Sequence, residues 1–309
     1  MTRTRPKPGL RGGYDIAASP HYRRKLHHYV SELIYIGGLS GGIDSQAAAR
    51  FMLNRYGTAH VILVNSDAGG NEPPLTIEHI TWYSEHIHPV IRIAARVGDF
   101  RTAEWCEKKG VNPGDDLTFP ELAILKGRFP SRKAQFCTEA LKLAPIRRWI
   151  EDHYPDCNYA RFTGVRRDES QARSDRQWQE WDDYYDCELY NPVYDWTKQM
   201  CFDYVRHHGE QINPLYSLGF TRVGCAPCIN SGKDDILNWA TRFPEMIDKV
   251  RTWEQRVGRT FFAPCVPGMA INWIDDVVAW AKTDRGGRQN NMFRILPPPA
   301  CESRFGLCE

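Results

Sequence analysis

Nowhere in the 309 residues is there an uninterrupted apolar run of the roughly 18 residues needed to span a bilayer. The basic opening stretch, Met1 to Arg11, also lacks the apolar segment of a secretory signal, so the expected location is the cytoplasm, with no membrane partner. No internal repeat or low-complexity tract is visible, and the ordinary share of hydrophobic residues, 42%, excludes wholesale disorder or a fibrous fold. Two familiar phosphate-binding signatures are missing as well. There is no Gly-x-x-x-x-Gly-Lys-Ser/Thr and no Gly-x-Gly-x-x-Gly, so neither the common P-loop nor the dinucleotide fingerprint applies.

Net charge is nearly absent, a formal +2, but the balance hides an asymmetry. Arg3, Arg5, Lys7, Arg11, Arg23, Arg24 and Lys25 face only Asp15 among the first 25 residues. Such an arm reads either as a solvated tail or as a surface that touches nucleic acid. The ten cysteines are too many to ignore. A reducing compartment disfavours a disulfide framework, which leaves metal binding or thiol chemistry. Cys106, Cys157, Cys187 and Cys201 read as small buried hydrophobes, and Cys265, between Pro264 and Pro267, as structural.

Along the chain, Leu33 to Gly37 is an apolar run ending in glycine, and Asp44 to Tyr56 is helix-compatible. Val61 to Asn65, Val90 to Ala94 and Tyr159 to Val165 read as further strands, the last with a charged loop behind it. Leu75 to His86 and Leu141 to His153 read as helices. This alternation predicts an α/β fold, a Rossmann-like parallel sheet with helices on both faces. From about Asn191 the pattern changes to a helix over Thr197 to His207, a glycine- and cysteine-rich loop, and helical stretches from Asp234 to Val257. The expected organisation is a basic arm over 1–30, a nucleotide-binding domain over 31–195, and a mainly helical, cysteine-bearing extension over 196–309.

Ser40-Gly41-Gly42-Ile43-Asp44-Ser45 sits at the first strand-to-helix junction. A glycine-rich turn there presents backbone N–H groups, reinforced by the helix dipole, to a phosphate. Gly41 and Gly42 permit close approach, Ser40 and Ser45 supply hydroxyls, and Asp44 suits orienting the loop or holding Mg²⁺. Arg161, Arg166, Arg167 and Arg173 cluster where an oxyanion would need neutralising, with Lys142 as a further point charge; a salt-bridged surface is the plainer reading, since Asp168 and Glu169 lie alongside. Gly224-Cys225-Ala226-Pro227-Cys228 offers two thiolates to one metal or cluster, and Cys301 and Cys308 form a second pair. Spacing alone does not separate an iron–sulfur cluster from zinc, and a redox dithiol at Cys225 and Cys228 is a third reading.

Ser-Gly-Gly-Ile-Asp-Ser resembles the Ser-Gly-Gly-x-Asp-Ser signature of PP-loop ATP pyrophosphatases, enzymes of the adenine nucleotide alpha hydrolase type. Three further blocks resemble the phosphoadenosine phosphosulfate (PAPS) reductase-like branch. They are Ser66 to Pro73, its Asp-Thr-Gly-rich segment with Ala68 at the usual threonine; Phe136-Cys137-Thr138-Glu139-Ala140-Leu141-Lys142, its Cys-Thr-x-x-Leu-Lys element; and Gly164 to Ser170 with Arg173, its Gly-x-Arg-x-x-Glu-Ser block. The combination of a PP-loop with clustered cysteines is also similar to ATP-dependent enzymes of DNA phosphorothioation.

The resemblance implies an adenine nucleotide with Mg²⁺ held by Ser40, Gly41, Gly42, Asp44, Ser45, Asp67, Lys142, Gly164, Arg166 and Arg173, with Asp44, Ser45, Arg166 and Cys301 in catalytic roles. It further implies a [4Fe–4S] cluster, with zinc the alternative, on Cys137, Cys225, Cys228 and Cys308. The expected activity is adenylation of a substrate for sulfur transfer. Two readings compete with it. One is a PAPS or adenylyl sulfate reductase using a C-terminal cysteine thiolate, which the ending Phe305 to Glu309 only loosely supports. The other is an accessory nucleotide-binding protein whose basic arm and Trp178, Trp181 and Trp196 serve a nucleic-acid-processing assembly. A nucleic acid or sulfur-donor protein is the partner expected, and a homo-oligomer is compatible with the sequence.

Overall fold

Strand β1 (Ile34–Gly38) lies at the middle of a six-stranded sheet, because the chain adds strands first on one side of it and then on the other. The computed structural model describes residues 33–155 and 159–283, and the described residues from Ile34 onward form one compact unit. The basic arm, Cys157, Cys301 and Cys308 lie outside the described residues. After β1 come helix α1 (Ile43–Tyr56), β2 (Val61–Ser66), α2 (Pro74–His86) and β3 (Val90–Ile93). Short helices α3 (Val97–Phe100), α4 (Ala103–Lys109) and α5 (Phe119–Lys126) follow. A helical turn at Phe136–Thr138 then runs through a π-helical segment, Glu139–Leu143, into α6 (Ala144–His153). β4 (Tyr159–Phe162), β5 (Gln179–Asp182) and β6 (Cys187–Tyr190) complete the sheet in the order β3-β2-β1-β4-β6-β5, parallel except for the β5–β6 pair.

Side-chain alternation explains why the sheet is covered on both faces. Ile36, Val64 and Ile93 pack against Leu143, Ile146 and Ile150 of the helix-π-helix segment. Their neighbours Tyr35 and Leu63 are equally buried and point the other way, and α1 contacts both β1 and β2. Gly37 stands opposite Phe162 in the β1–β4 ladder, and a Cβ there would fall 2.1 Å from the ring. Glycine is therefore a packing requirement at that position.

Two element bounds differ from the sequence expectation, at the end of β4 and at the start of the helix after Thr197. β4 ends at Phe162 rather than Val165, and Thr163 N–H makes a last bond to the Tyr190 carbonyl of β6 at 2.9 Å. The charged stretch behind it is the expected loop, wound into two short turns at Arg167–Glu169 and Gln171–Arg173, and it leads into the β5–β6 hairpin, which was not expected. Its buried anchor is Arg161, which pairs with Asp182 and lies 3.6 Å over the Tyr185 ring, so charge is brought inside as a matched pair. The expected helical stretches over 234–257 are α8 (Lys233–Arg242) and α9 (Pro244–Val257), parted because Pro244 lacks the N–H that would continue the first helix. α7 (Lys198–His207) begins one residue later than expected, with the Thr197 hydroxyl accepting the Met200 N–H as its cap.

A second core lies beside the sheet. Phe119, Leu122 and Phe129 pack with Trp253, Phe261 and the buried face of α10 (Ile274–Ala281), so α5 and the C-terminal helices share one apolar interior. Cys106, Cys187 and Cys201 are buried as expected, burial pushing the Cys187 thiol up to about 12, whereas Cys265 is exposed rather than packed.

Candidate functional site

The loop after β1 emerges at the carboxyl end of the central strand, at the point where strand order reverses, the place where open α/β sheets bind ligands. α1 starts behind Gly42 with no side-chain cap, which leaves first-turn N–H groups to other acceptors. Gly41 adopts φ +85°, a left-handed conformation that suits glycine, and a Cβ there would meet the Thr76 methyl at 2.7 Å. The two hydroxyls clasp the turn: Ser40 Oγ and Ser45 Oγ are 3.0 Å apart, and Ser45 Oγ donates to the Gly42 carbonyl at 2.9 Å.

Segments far along the chain hold this turn in place. Ile43 N–H donates to the Tyr216 hydroxyl at 3.0 Å, Asn213 Nδ2 to the Gly41 carbonyl at 3.1 Å, and Gln46 Nε2 to the buried Glu210 at 2.8 Å. From the other side, Gly164 abuts the first turn of α1 so closely that a Cβ would lie 2.6 Å from the Asp44 carbonyl and the Ser45 nitrogen. Asp44 is buried, its Oδ2 2.7 Å from Arg166 Nε, while its Oδ1 has no hydrogen-bond partner among the described residues. Burial works against the Arg166 charge, but Asp44 and the paired Asp168 more than restore it and hold the guanidinium ionised. Arg173 is wholly enclosed and paired with Glu169. Arg167 lies 4.5 Å over the Tyr194 ring. The arginine cluster is thus a set of ion pairs and ring contacts behind the loop.

Two hollows meet in front of it. One of about 330 Å³ is lined by Leu39, Ser40, Asn65, Glu72, Lys142 and Cys225, among others. The second, about 390 Å³, is lined by Phe119, Cys137, Leu141, Lys142, Cys225 and Cys228, among others. Lys142, Cys225 and Ala68 border both, so a hollow beside the glycine-rich loop and a cysteine-lined one adjoin. The Cys-x-x-Cys turn is fastened there by Ala226 N–H donating to the Asn71 carbonyl at 2.8 Å and by Thr76 Oγ1 donating to the Val223 carbonyl at 2.6 Å.

Three of the four cysteines expected to bind a metal or cluster therefore share one hollow, and their thiolate chemistry suits iron–sulfur or zinc. Among the described residues no three Cys, His, Asp or Glu side chains stand close enough to hold a metal ion by themselves. Closure of a four-ligand site requires a further donor, and Cys308 lies outside the described residues.

Asp67 braces the segment after β2: it accepts from Arg92 at 3.1 Å and from Gly70 N–H at 3.0 Å. Three residues of the site were not singled out in the sequence. Glu72 lines the hollow beside the loop, where burial raises its pKa against the opposing pull of Arg92 and Lys142. Asn65 lines it too, with a buried Oδ1 that has no hydrogen-bond partner among the described residues. Lys249, on α9, donates to the Gly70 carbonyl at 3.2 Å, and burial pulls it down to about 8 despite nearby Cys225 and Glu72. Glu72 sits inside the glycine-rich segment and could have been suspected from it; nothing in the sequence marks a lysine on an amphipathic helix.

The family model described as "Phosphoadenosine phosphosulfate reductase domain" matches residues 38–231. An uncharacterized 37.8 kDa protein of Escherichia phage 186 is 29% identical over 91% of this chain and 98% of its own length. Adenosine 5'-phosphosulfate reductase of Allochromatium vinosum is 34% identical over 34% of this chain, and the match spans 40% of that enzyme. A crystal structure of PAPS reductase from Candida auris, in phosphate complex, aligns with 69% of this chain and 98% of its own at 16% identity and a TM-score of 0.43. No helix among the described residues is long and apolar enough to cross a membrane.

Proposed function

The chain belongs to the phosphoadenosine phosphosulfate reductase domain family, and from that premise we propose that it is a PP-loop ATP pyrophosphatase that adenylates an acceptor for sulfur transfer. The observation that carries the reading is the complete Ser40 to Ser45 loop at the switch point, backed by Gly164 and by the buried Asp44–Arg166 pair. In the reaction an acceptor oxygen attacks the α-phosphorus of ATP, the bond to the β-phosphate oxygen breaks, and pyrophosphate leaves. The start of α1 supplies N–H groups to the phosphates, and Lys142 offsets the charge developing on the leaving group. Asp44 Oδ1, buried and lacking a hydrogen-bond partner, suits Mg²⁺, which takes oxygen ligands.

Cys137, Cys225 and Cys228, with Cys308, would hold a [4Fe–4S] cluster or zinc; the group would supply an electron-transfer or Lewis-acid centre beside the nucleotide. A sulfonucleotide reductase is the second reading, favoured by the adenylyl sulfate reductase relatives and by cysteines adjoining the hollow beside the loop. Purified protein incubated with Mg²⁺, labelled ATP and a panel of nucleic-acid and small-molecule acceptors is expected to release pyrophosphate. Steady conversion of PAPS or adenylyl sulfate to sulfite by a thiol donor, with no pyrophosphate from ATP, would promote the second reading.

A further inference from the structure

Beyond the cleft, a run of the sequence from Leu122 to Thr138 contains Lys126, Arg128, Arg132 and Lys133 and not one acidic residue. The fold sets part of this run against aromatic rings. Arg101 lies 4.1 Å over the Phe100 ring and 5.0 Å over Trp105; Lys126 lies 4.5 Å over Phe100 and 5.4 Å over Phe136; Arg128 lies 5.5 Å over Phe136. Shared rings thus tie three cations into one cluster. Among the described residues, Arg101, Lys126, Arg128 and Lys133 form no ion pair, and the buried Nε of Arg101 has no hydrogen-bond partner. The crowding has an electrostatic signature. The Lys126 ammonium is held below its ordinary range by burial and then by Arg101 and Arg128, with Glu139 opposing.

A carboxylate partner would orient these cations and cancel their charge. A ring face orients them and leaves the charge to act outward. Such a surface needs a polyanion, since several unneutralised charges gain by releasing the counterions of a phosphate backbone. Guanidinium planes resting on rings also offer flat faces on which unpaired bases stack, which a carboxylate-bearing peptide would not use. The face runs directly into the site: Phe136 precedes Cys137, and Gln135 and Cys137 line the cysteine hollow. We infer that this face binds single-stranded nucleic acid, its backbone seated on Arg101, Lys126, Arg128 and Lys133 and its bases led toward the cysteine hollow. The inference goes beyond the nucleotide chemistry and holds whichever reaction the cleft runs.

Fluorescence anisotropy of the full chain with a short labelled single-stranded oligonucleotide, titrated from about 50 to 200 mM salt, tests it. Lys126→Gln combined with Arg128→Gln is expected to weaken binding at least about tenfold and to flatten the log–log salt slope by about 1.4, two charges at roughly 0.7 each. Unchanged thermal unfolding of the double variant shows that the fold is kept; should it fall, the single variants are measured instead. Arg206→Gln, on the exposed side of α7, should leave binding as it was. Affinity and slope unaltered in the folded variants would overturn the inference, with the basic arm then carrying any binding. So would tenfold preference for duplex, or displacement of the oligonucleotide by polyglutamate at equal charge.

Discussion

Asp44 is ion-paired through one of its two oxygens. Its Oδ2 faces Arg166, whose guanidinium also meets Asp168, so the three form a chain from the loop to the surface, with Asp168 half exposed at its outer end. The two carboxylates should then respond very differently to loss of charge. Asp44→Asn is expected to reduce pyrophosphate release at least tenfold and to lower stability by about 1–3 kcal/mol, because a buried guanidinium loses its charge-matched acceptor. Asp168→Asn should cost no more than about 1 kcal/mol, as exposed pairs do, and leave turnover nearly intact. A pyrophosphate assay beside urea melts of both variants checks the pair; equal losses would mean that Asp44 only braces the loop. At this scale the sequence showed the loop serines, the glycines and the Cys-x-x-Cys turn, because each is set by local geometry. Asn65 and Lys249 were hidden, because what distinguishes them is burial brought about by residues far away in the chain.

The elements around the loop are fitted backbone to backbone, and glycine makes the fit. β1, α1, β2 and β4 were readable from apolar runs and turn residues. The β5–β6 hairpin was not, since Asp182, Asp183, Asp186 and Glu188 disguise strands whose buried contacts rest on Arg161 and Tyr185. The π-helical segment at Glu139–Leu143 was equally hidden, its composition being ordinary for an α-helix. Gly164 is where the segment leaving β4 touches the start of α1. Gly164→Ala forces a methyl into backbone atoms that have no rotamer to yield, so α1 must shift. A loss of about 1–3 kcal/mol in urea unfolding is expected, with weaker binding of a non-hydrolysable ATP analogue by calorimetry. Gly114→Ala, where the nearest side-chain atom is an ordinary 3.4 Å away, should stay within about 0.5 kcal/mol. Equal effects at the two positions would mean that backbone entropy, and not contact, explains the glycine.

At the scale of the whole molecule, stability should carry the mark of one histidine. His79 is buried between α1 and α2, facing Gln46 Oε1 at 3.2 Å, and burial lowers its pKa from 6.5 to about 4. Between those values the unfolded chain binds the proton that the folded one refuses. Stability is therefore full above about pH 6.5 and declines as pH falls toward 4, by up to about 3 kcal/mol. Urea melts at pH 7 and pH 4.5 should show the decline in the parent and a clearly shallower one in His79→Gln; parallel slopes would assign the acid sensitivity to other groups. The same network reaches further, since Gln46 passes from His79 to Glu210, and Glu210 pairs with Arg50. Together with Tyr216 and Asn213 on the nucleotide turn, and Asn71 on the cysteine turn, it stitches the later third of the chain through the earlier part. For protein engineering this fixes where the molecule can be divided. The compositional border near residue 195 looks like a joint between exchangeable modules, yet a chimera joined there must inherit both sides of every one of these bonds from the same parent.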